Sequence, residues 1–414
     1  MKSIIIIGGG IIGLSAAYYL QKEGHQVTVI DQSNMDEGAS YVNAGYLTPS
    51  HIIPLAAPGV IKQGIKWMFN PKSPLYLKPR LEMDFLKWVW AFNKSANKKH
   101  VERCIPVIRD INLLSRDLYQ DIKQDEGFNF QYEKKGLLML CQTDKMLEEE
   151  NEVAHKAIEA GLPVKELSLE ELYKMEPGVK MNVKGAVHYE CDVHTTPGEF
   201  MSEIKSYLKQ KGVIFNTNEK VEDIEVKKNE ITAIKTNKQT LYADEYVLAA
   251  GSWSTLLGKK LGISIPLQAG KGYRINTEKN TGITVPAILA EAKVAVTPMH
   301  GFTRFAGTME VAGINHTINK VRVDAIAQAA NRYYPEIRIE QEEKDKAACG
   351  LRPVSPDGMP YIGRSAKCDN LTIATGHAMM GWSLGPATGK LVEEIIAGKK
   401  TSMPVDAFHP DRKF

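Results

Sequence analysis

Four apolar β-branched residues, Ile4-Ile5-Ile6-Ile7, run without a polar interruption near the start of the chain. Such a run predicts a parallel strand buried on both faces. A glycine turn follows at 8–13. Residues 11–23 then read as a helix, with Ala16, Ala17 and Leu20 among its packing positions, and Gly24 stops it. Val27 to Ile30 predicts a second strand that ends at Asp31. The opening pattern is therefore strand, turn, helix, strand.

The stretch from 60 to 126 is different. Ile61–Phe69 and Phe85–Phe92 read as aromatic helices carrying Trp67, Trp88 and Trp90, separated by Pro71, Pro74 and Pro79. Residues 101–126 predict a long amphipathic helix, interrupted early at Pro106, and 144–160 another. Gly136–Cys141 and Gly185–Tyr189 read as short strands. A helix returns at 198–211, where Thr196 and Pro197 suit the cap and first turn. Val213–Asn216, Val221–Val226, Glu230–Lys235 and Leu241–Tyr242 read as a small antiparallel set. Tyr246–Gly251 is again a buried strand ending in glycine. Residues 265–315 alternate strands and turns, and 320–333 are helical. Gly350–Gly363 is rich in Gly and Pro and reads as loop. Leu371–Ala374 predicts a strand, 376–381 a turn, and a last helix reaches about Ala397. The polar tail 400–414 is expected on the surface.

Composition narrows the function. The chain has 414 residues, 43% of them hydrophobic and 24% charged, so it can bury a large core. Its net charge of +3 argues against nucleic acid as a partner. No apolar run reaches the ~18 residues of a membrane span. Cys104, Cys141, Cys191, Cys349 and Cys368 are scattered, with no CxxC spacing. They suggest neither a disulfide framework nor a metal site, and fit a reducing cytoplasm.

The chemistry begins at Gly8-Gly9-Gly10-Ile11-Ile12-Gly13. Glycines in this spacing turn the strand sharply, let backbone N–H groups approach a pyrophosphate, and let helix and strand pack closely. The helix N-terminus adds partial positive charge. Asp31, 18 residues beyond Gly13, stands where an acid accepts the ribose hydroxyls; Gln32 follows it. Small and hydrogen-bonding residues at Ala39, Ser40, Asn43, Ala44 and Gly45 suit close approach to the same ligand. Ala250-Gly251 ends a later strand. Gly376-His377-Ala378-Met379-Met380-Gly381-Trp382 joins the last strand to the last helix. A helix N-terminus there favours negative charge on a reduced flavin, which points to FAD rather than NAD.

These segments resemble the FAD-dependent amine and amino-acid oxidoreductases, a family that includes D-amino-acid dehydrogenase, glycine oxidase and sarcosine oxidase. The matching segments are IIIIGGGIIGLSAAYYL, GASYVNAGYLTP, AAPGVIKQGIKWMF, GKGYRI, GLRPVSPDGMPYIG and TGHAMMGWSLGPATGKLV. They span nearly the whole chain in the family's order, and the third and fifth point to the D-amino-acid dehydrogenase branch. The resemblance implies an α/β fold: a glutathione-reductase-like, Rossmann FAD domain with an interleaved α+β substrate domain. The FAD domain is expected from 1–60, 195–255 and 345–414, and the substrate domain with a helical insertion from 61–194 and 256–344. Val221 is expected at the adenine.

The resemblance assigns roles. Arg352, in the GLRP segment, grips the substrate carboxylate, for which a guanidinium fork is well matched; an ion pair with Asp357 is the structural alternative. Tyr273 is expected to face substrate. Tyr46 and His51 follow the Asn43-Ala44-Gly45 turn near the amine or flavin, and His377 sits beside the flavin. Gly350 and Arg352 complete the cofactor contacts. Lys271 and Arg304 are candidate second anion contacts, and His194 is a weaker candidate. Sarcosine oxidases tether flavin through a cysteine that aligns with Gly350. Cys349 is one residue away, so FAD is expected to be non-covalent.

The implied reaction is oxidation of a D-amino or cyclic imino acid, D-proline or hydroxy-D-proline included, by hydride transfer from the α carbon to flavin N5. An imine results, then a 2-oxo acid. The branch implies a quinone acceptor and peripheral contact with the inner face of a membrane, with 61–92 as the candidate surface. A glycine- or sarcosine-type oxidase using oxygen, or a flavoprotein subunit active only in a complex, remain the alternatives.

Overall fold

The computed structural model describes residues 1–60 and 73–414. The Ile61–Phe69 helix and Trp67 lie outside the described residues.

Six strands form a sheet in the order Ile214–Asn216, Gln26–Ile30, Ser3–Ile7, Glu245–Leu248, Leu371–Thr375 and Tyr361–Arg364. The first five run parallel, and the last pairs antiparallel. Ile4 and Ile6 enter a core shared with the helices Ile11–Lys22, Pro197–Gln210 and Gly385–Ala397. Ile5 and Ile7 enter another, shared with a three-stranded antiparallel sheet of Val221–Lys227, Glu230–Thr236 and Thr240–Leu241. Burial on both faces explains the unbroken isoleucine run, each side chain contributing roughly 1.5–3 kcal/mol.

A larger sheet runs Ala348–Val354, Gln268–Thr277, Phe302–Val311, Val294–Met299, Ala287–Leu289, Leu137–Cys141, Gly185–Tyr189 and Val164–Leu167. Leu75–Leu77 adds to Phe302–Val311. One face packs Tyr273, Ile275 and Phe305 against the helix Lys320–Tyr333. The other face looks onto a cavity shared with the first sheet.

Four expectations are corrected. Gly350–Gly363 is not all loop: Ala348–Val354 and Tyr361–Arg364 are strands. Pro353 is tolerated because Ala348–Val354 is an edge strand, with Gln268–Thr277 as its neighbour in the sheet. This strand belongs to the larger sheet although it falls within 345–414. Second, Ile214–Asn216 follows a helix and pairs parallel with Gln26–Ile30, rather than with the hairpin after it. Third, the helix Lys98–Asp125 starts earlier and runs through Pro106. Pro106 and Glu102, whose carbonyl it leaves unpaired, are both exposed, so water can replace the lost bond. Fourth, the tail docks. Phe408 is fully buried, and Arg412 donates to Asp357 from Nε at 2.7 Å and Nη2 at 2.9 Å. Thr196 does precede a helix with Pro197 in its first turn, but its hydroxyl bonds Gln131 instead of the helix end.

Candidate active site

The cavity between the two sheets measures about 1580 Å³. At one end the first strand turns into the first helix. Gly8 has φ +114°, and a Cβ there would lie 2.4 Å from the Ala249 carbonyl oxygen. A Cβ on Gly13 would lie 1.9 Å from the Gly8 carbonyl oxygen, so the helix can rest on the strand only through glycine. Gly10 is the N-cap and brings no side chain to close the helix end. Ile11 N–H donates to Ser40 Oγ at 3.0 Å. Asp31 is fixed in place: Oδ2 accepts from Gly9 N–H at 2.7 Å, and Oδ1 accepts from Ser33 N–H and Oγ–H at 2.8 and 2.7 Å. Gly8, Gly10, Ile11, Ile12, Asp31, Gln32, Val221, Ala250 and Gly251 all line this part of the cavity. An uncapped helix end beside an anchored carboxylate fits a dinucleotide, with its phosphates at the helix and its ribose at Asp31.

The middle is built by two loops. Ala39, Ser40, Asn43 and Ala44 line it from one side, and His377, Met380, Gly381 and Trp382 from the other. Gly350 lies under the first loop, where a Cβ would meet Val42 and Ala39. Gly13, Gly45 and Gly376 do not line the cavity. A Cβ on Gly45 would strike the Thr195 carbonyl, and one on Gly376 the Tyr361 ring. Tyr46 lines the cavity, but its hydroxyl is shared between the Ala287 and Val296 carbonyls at 2.9 and 2.8 Å. It therefore holds the loop to the sheet and has no proton left for a ligand. His377 lies 3.0 Å from Thr388 Oγ1 through Nε2, while Nδ1 has no partner among the described residues. Burial pulls its pKa down to about 3, so it is neutral.

Arginine dominates the far end. Arg352 Nη1 donates to the Thr308 carbonyl at 2.9 Å, and no carboxylate pairs with it among the described residues. Asp357 is held by Arg412, which excludes the structural alternative. The Thr308 carbonyl is available because the strand bulges there. Tyr273 pairs with Gly307 and Lys271 with Glu310, so Phe302–Val311 carries one extra residue, and Thr308 takes φ +62°. Gly272 clears the space: a Cβ would lie 2.3 Å from Arg352 Nη1. Burial lowers the Arg352 pKa to about 10, which still leaves it charged at neutral pH. Arg274 and Lys293 also line the cavity.

The side chains of several expected residues are engaged elsewhere, although Tyr273, Cys349 and His51 are among the residues that line the cavity. Tyr273 sits on the opposite face of the sheet from Gly272, because side chains alternate, and its hydroxyl donates to Glu310 at 2.9 Å. Lys271 shares that face and lies 2.6 Å from Asn315 Oδ1 and 3.6 Å from Glu310. Arg304 donates to the Tyr41 and Asn43 carbonyls, holding their loop. His194 is buried outside the cavity, its pKa pulled to about 4. Cys349 Sγ–H points to the His316 carbonyl. His51 lines the cavity and contacts Ser50 Oγ at 2.9 Å; Ser50 donates to Asp192 at 2.5 Å. Trp88 is buried, with Nε1–H donating to the Val354 carbonyl, whereas Trp90 is exposed.

Sequence reasoning missed Gly272, Arg274 and Thr308. The first two had a signal: in Gly270-Lys271-Gly272-Tyr273-Arg274, the residues at 270, 272 and 274 share a face. Nothing local marks Thr308.

Residues 3–395 match the model of the DAO family, FAD dependent oxidoreductases. A D-amino acid dehydrogenase of Vibrio vulnificus (strain CMCP6) is 31% identical over 411 residues, 98% of each chain. One of Helicobacter pylori is 33% identical over 397 residues, 95% of this chain and 94% of the other. Among solved structures, glycine oxidase from Geobacillus kaustophilus superposes with a TM-score of 0.80 at 20% identity, covering 100% of this chain and 99% of that one. L-proline dehydrogenase from P. horikoshii gives 0.73 at 21% identity, covering 99% and 96%.

Proposed function

The chain belongs to the FAD-dependent oxidoreductases of the DAO family, and from that premise we propose that it dehydrogenates D-amino acids, with Arg352 as the carboxylate receptor. It is an FAD-dependent oxidoreductase acting on amino donors. The observation that carries the finer reading is the Arg352 guanidinium, poised over Gly272 with one N–H spent on Thr308 and no acid paired with it among the described residues.

Bound FAD would supply the two-electron acceptor, and Gly8, Gly10, Asp31, Ser40 and residues 377–382 would hold it. The remaining work belongs to the protein. Arg352 takes the carboxylate bidentately, which fixes the α carbon relative to the cavity wall. The Thr308 carbonyl holds the guanidinium, and Gly272 leaves the room it occupies. His51, pulled to about 4 by burial, and His377 are both neutral, so neither repels the substrate amine. The resulting imine hydrolyses to a 2-oxo acid, or stays cyclic if the substrate is a proline derivative. Cys349 lines the cavity, and non-covalent FAD is supported by its thiol being directed at the His316 carbonyl.

A membrane-bound quinone as electron acceptor is supported by one surface. Leu81, Met83, Leu86 and Trp90 are exposed on and before the helix Met83–Ser95, whose other side buries Phe85, Trp88 and Phe92. No helix among the described residues is long and apolar enough to cross a membrane. Cosedimentation with lipid vesicles, lost on Trp90→Asp, would support this contact, and equal sedimentation of both proteins would end it.

The deciding experiment is anaerobic titration of the purified yellow protein with D- and L-amino acids, D-proline, hydroxy-D-proline, glycine and sarcosine. Bleaching by D-substrates alone is the expected result. Bleaching by glycine or sarcosine with rapid peroxide formation would move the reading to an oxidase. Bleaching by none would move it to a subunit that needs a complex.

A further inference from the structure

We propose that Arg274 is a receptor for a second carboxylate, so that the far end of the cavity prefers D-amino acids with acidic side chains. The proposal rests on Arg352 binding the α-carboxylate.

Pairing between Gln268–Thr277 and Ala348–Val354 is unbroken from Gln268 to Arg274, so the alternation of faces is never reset there. Gly270, Gly272 and Arg274 therefore point to the same side. The Arg352 guanidinium lies over Gly272, and Arg274 follows two residues on, about 7 Å along the strand. Both residues line one cavity. Two guanidinium groups on one face suit a ligand with a carboxylate at each end, such as a four- or five-carbon dicarboxylate.

Among the described residues, nothing occupies the Arg274 side chain. It is half-buried, its Nε is enclosed without a partner, and no side-chain hydrogen bond or ion pair engages it among the described residues. Its neighbour Arg304 differs: Nε donates to Asn276 and Nη1 to two carbonyls. Arg304 adds repulsion and no compensation, for Arg274 helps lower its pKa. The cavity's acids, Asp31, Asp36, Glu37, Glu219 and Glu222, cluster around the nucleotide end. Glu310 lies on the other face with Lys271, Tyr273 and Arg322. An enclosed cation without an acid is unfavourable until an anion arrives. Two such cations in one cavity describe a ligand with two negative groups.

The test is calorimetric titration of the FAD-loaded protein with succinate and glutarate against butyrate and pentanoate, none of which is an amino donor. The dicarboxylates are expected to bind at least tenfold more tightly. Arg274→Met should abolish that preference and leave monocarboxylate binding unchanged, and Arg274→Lys should restore part of it. Equal binding of both classes by the wild-type protein would overturn the proposal, and so would a preference that survives Arg274→Met. If Arg274→Met fails to fold, the wild-type preference and Arg274→Lys still decide. A protein that prefers dicarboxylates yet leaves D-aspartate and D-glutamate unoxidised would retain the second receptor and lose the dehydrogenase reading.

Discussion

The two ends of the cavity are made from different materials. The nucleotide end is made of backbone: glycines, free N–H groups at a helix start, and an aspartate already held by Gly9 and Ser33. The far end is made of long cationic side chains whose donors are largely unspent. The first holds its form through backbone contacts, some local, as between Gly9 and Asp31, and some distant, as between Gly8 and Ala249. The second holds its form through strand register, joining residues near 272, 308 and 352. A backbone arrangement serves a ligand part that does not vary. A register-dependent one can be altered by one substitution without disturbing the other end, and three experiments bear on that separation.

The largest effect is expected from Arg352→Ala. KM for carboxylate substrates should rise about a hundredfold, roughly 3 kcal/mol, while the flavin spectrum stays unchanged. An unchanged KM would remove Arg352 from substrate binding, and lost flavin would show that the ends are not separable. Gly272→Ala is milder. Its Cβ meets only the end of the Arg352 side chain, which can move, so we expect a rise in KM of about tenfold with little change in melting temperature. A large drop in melting temperature would instead make Gly272 a packing residue.

The smallest effect concerns Asp192, beneath His51 and Ser50. Burial raises its pKa to about 7, against ~3.9 in an unfolded chain. The folded state thus binds the proton more tightly. That contribution to stability is complete below about pH 4 and is lost as pH climbs to about 7, by at most ~1.4 kcal/mol per pH unit. Asp192→Asn should remove this slope, so melting curves of the two proteins should diverge between pH 4 and 7. Parallel curves would show that Asp192 is not buried as an acid.

The same contrast explains what could be read from the sequence. The isoleucine run, the glycine turn and Asp31 are neighbours along the chain, and their periodicity carried the first sheet and the nucleotide end. Arg352 was singled out through the resemblance of its GLRP segment, and it lines the cavity. Tyr273 lines the cavity, but its hydroxyl is turned to Glu310, a partner 37 residues away that no local pattern reveals. Gly350–Val354 looked like loop because the segment is rich in Gly and Pro, and nothing in it says that the strand is an edge, where Pro353 is tolerated. Tyr46 and His377 line the cavity as expected. What they could do there depends on the Ala287 and Val296 carbonyls and on Thr388, distant partners that no local pattern reveals.

The bulge in Phe302–Val311 has one more consequence. Residues on both sides of Thr308 keep the partners and faces they would have if Thr308 were removed: Gly307 still opposes Tyr273, and Glu310 still opposes Lys271. A chain shortened by that residue could form a more regular ladder with every other side chain where it is now. Architecture alone would favour the deletion; what the surplus residue supplies is the carbonyl that the bulge presents to Arg352.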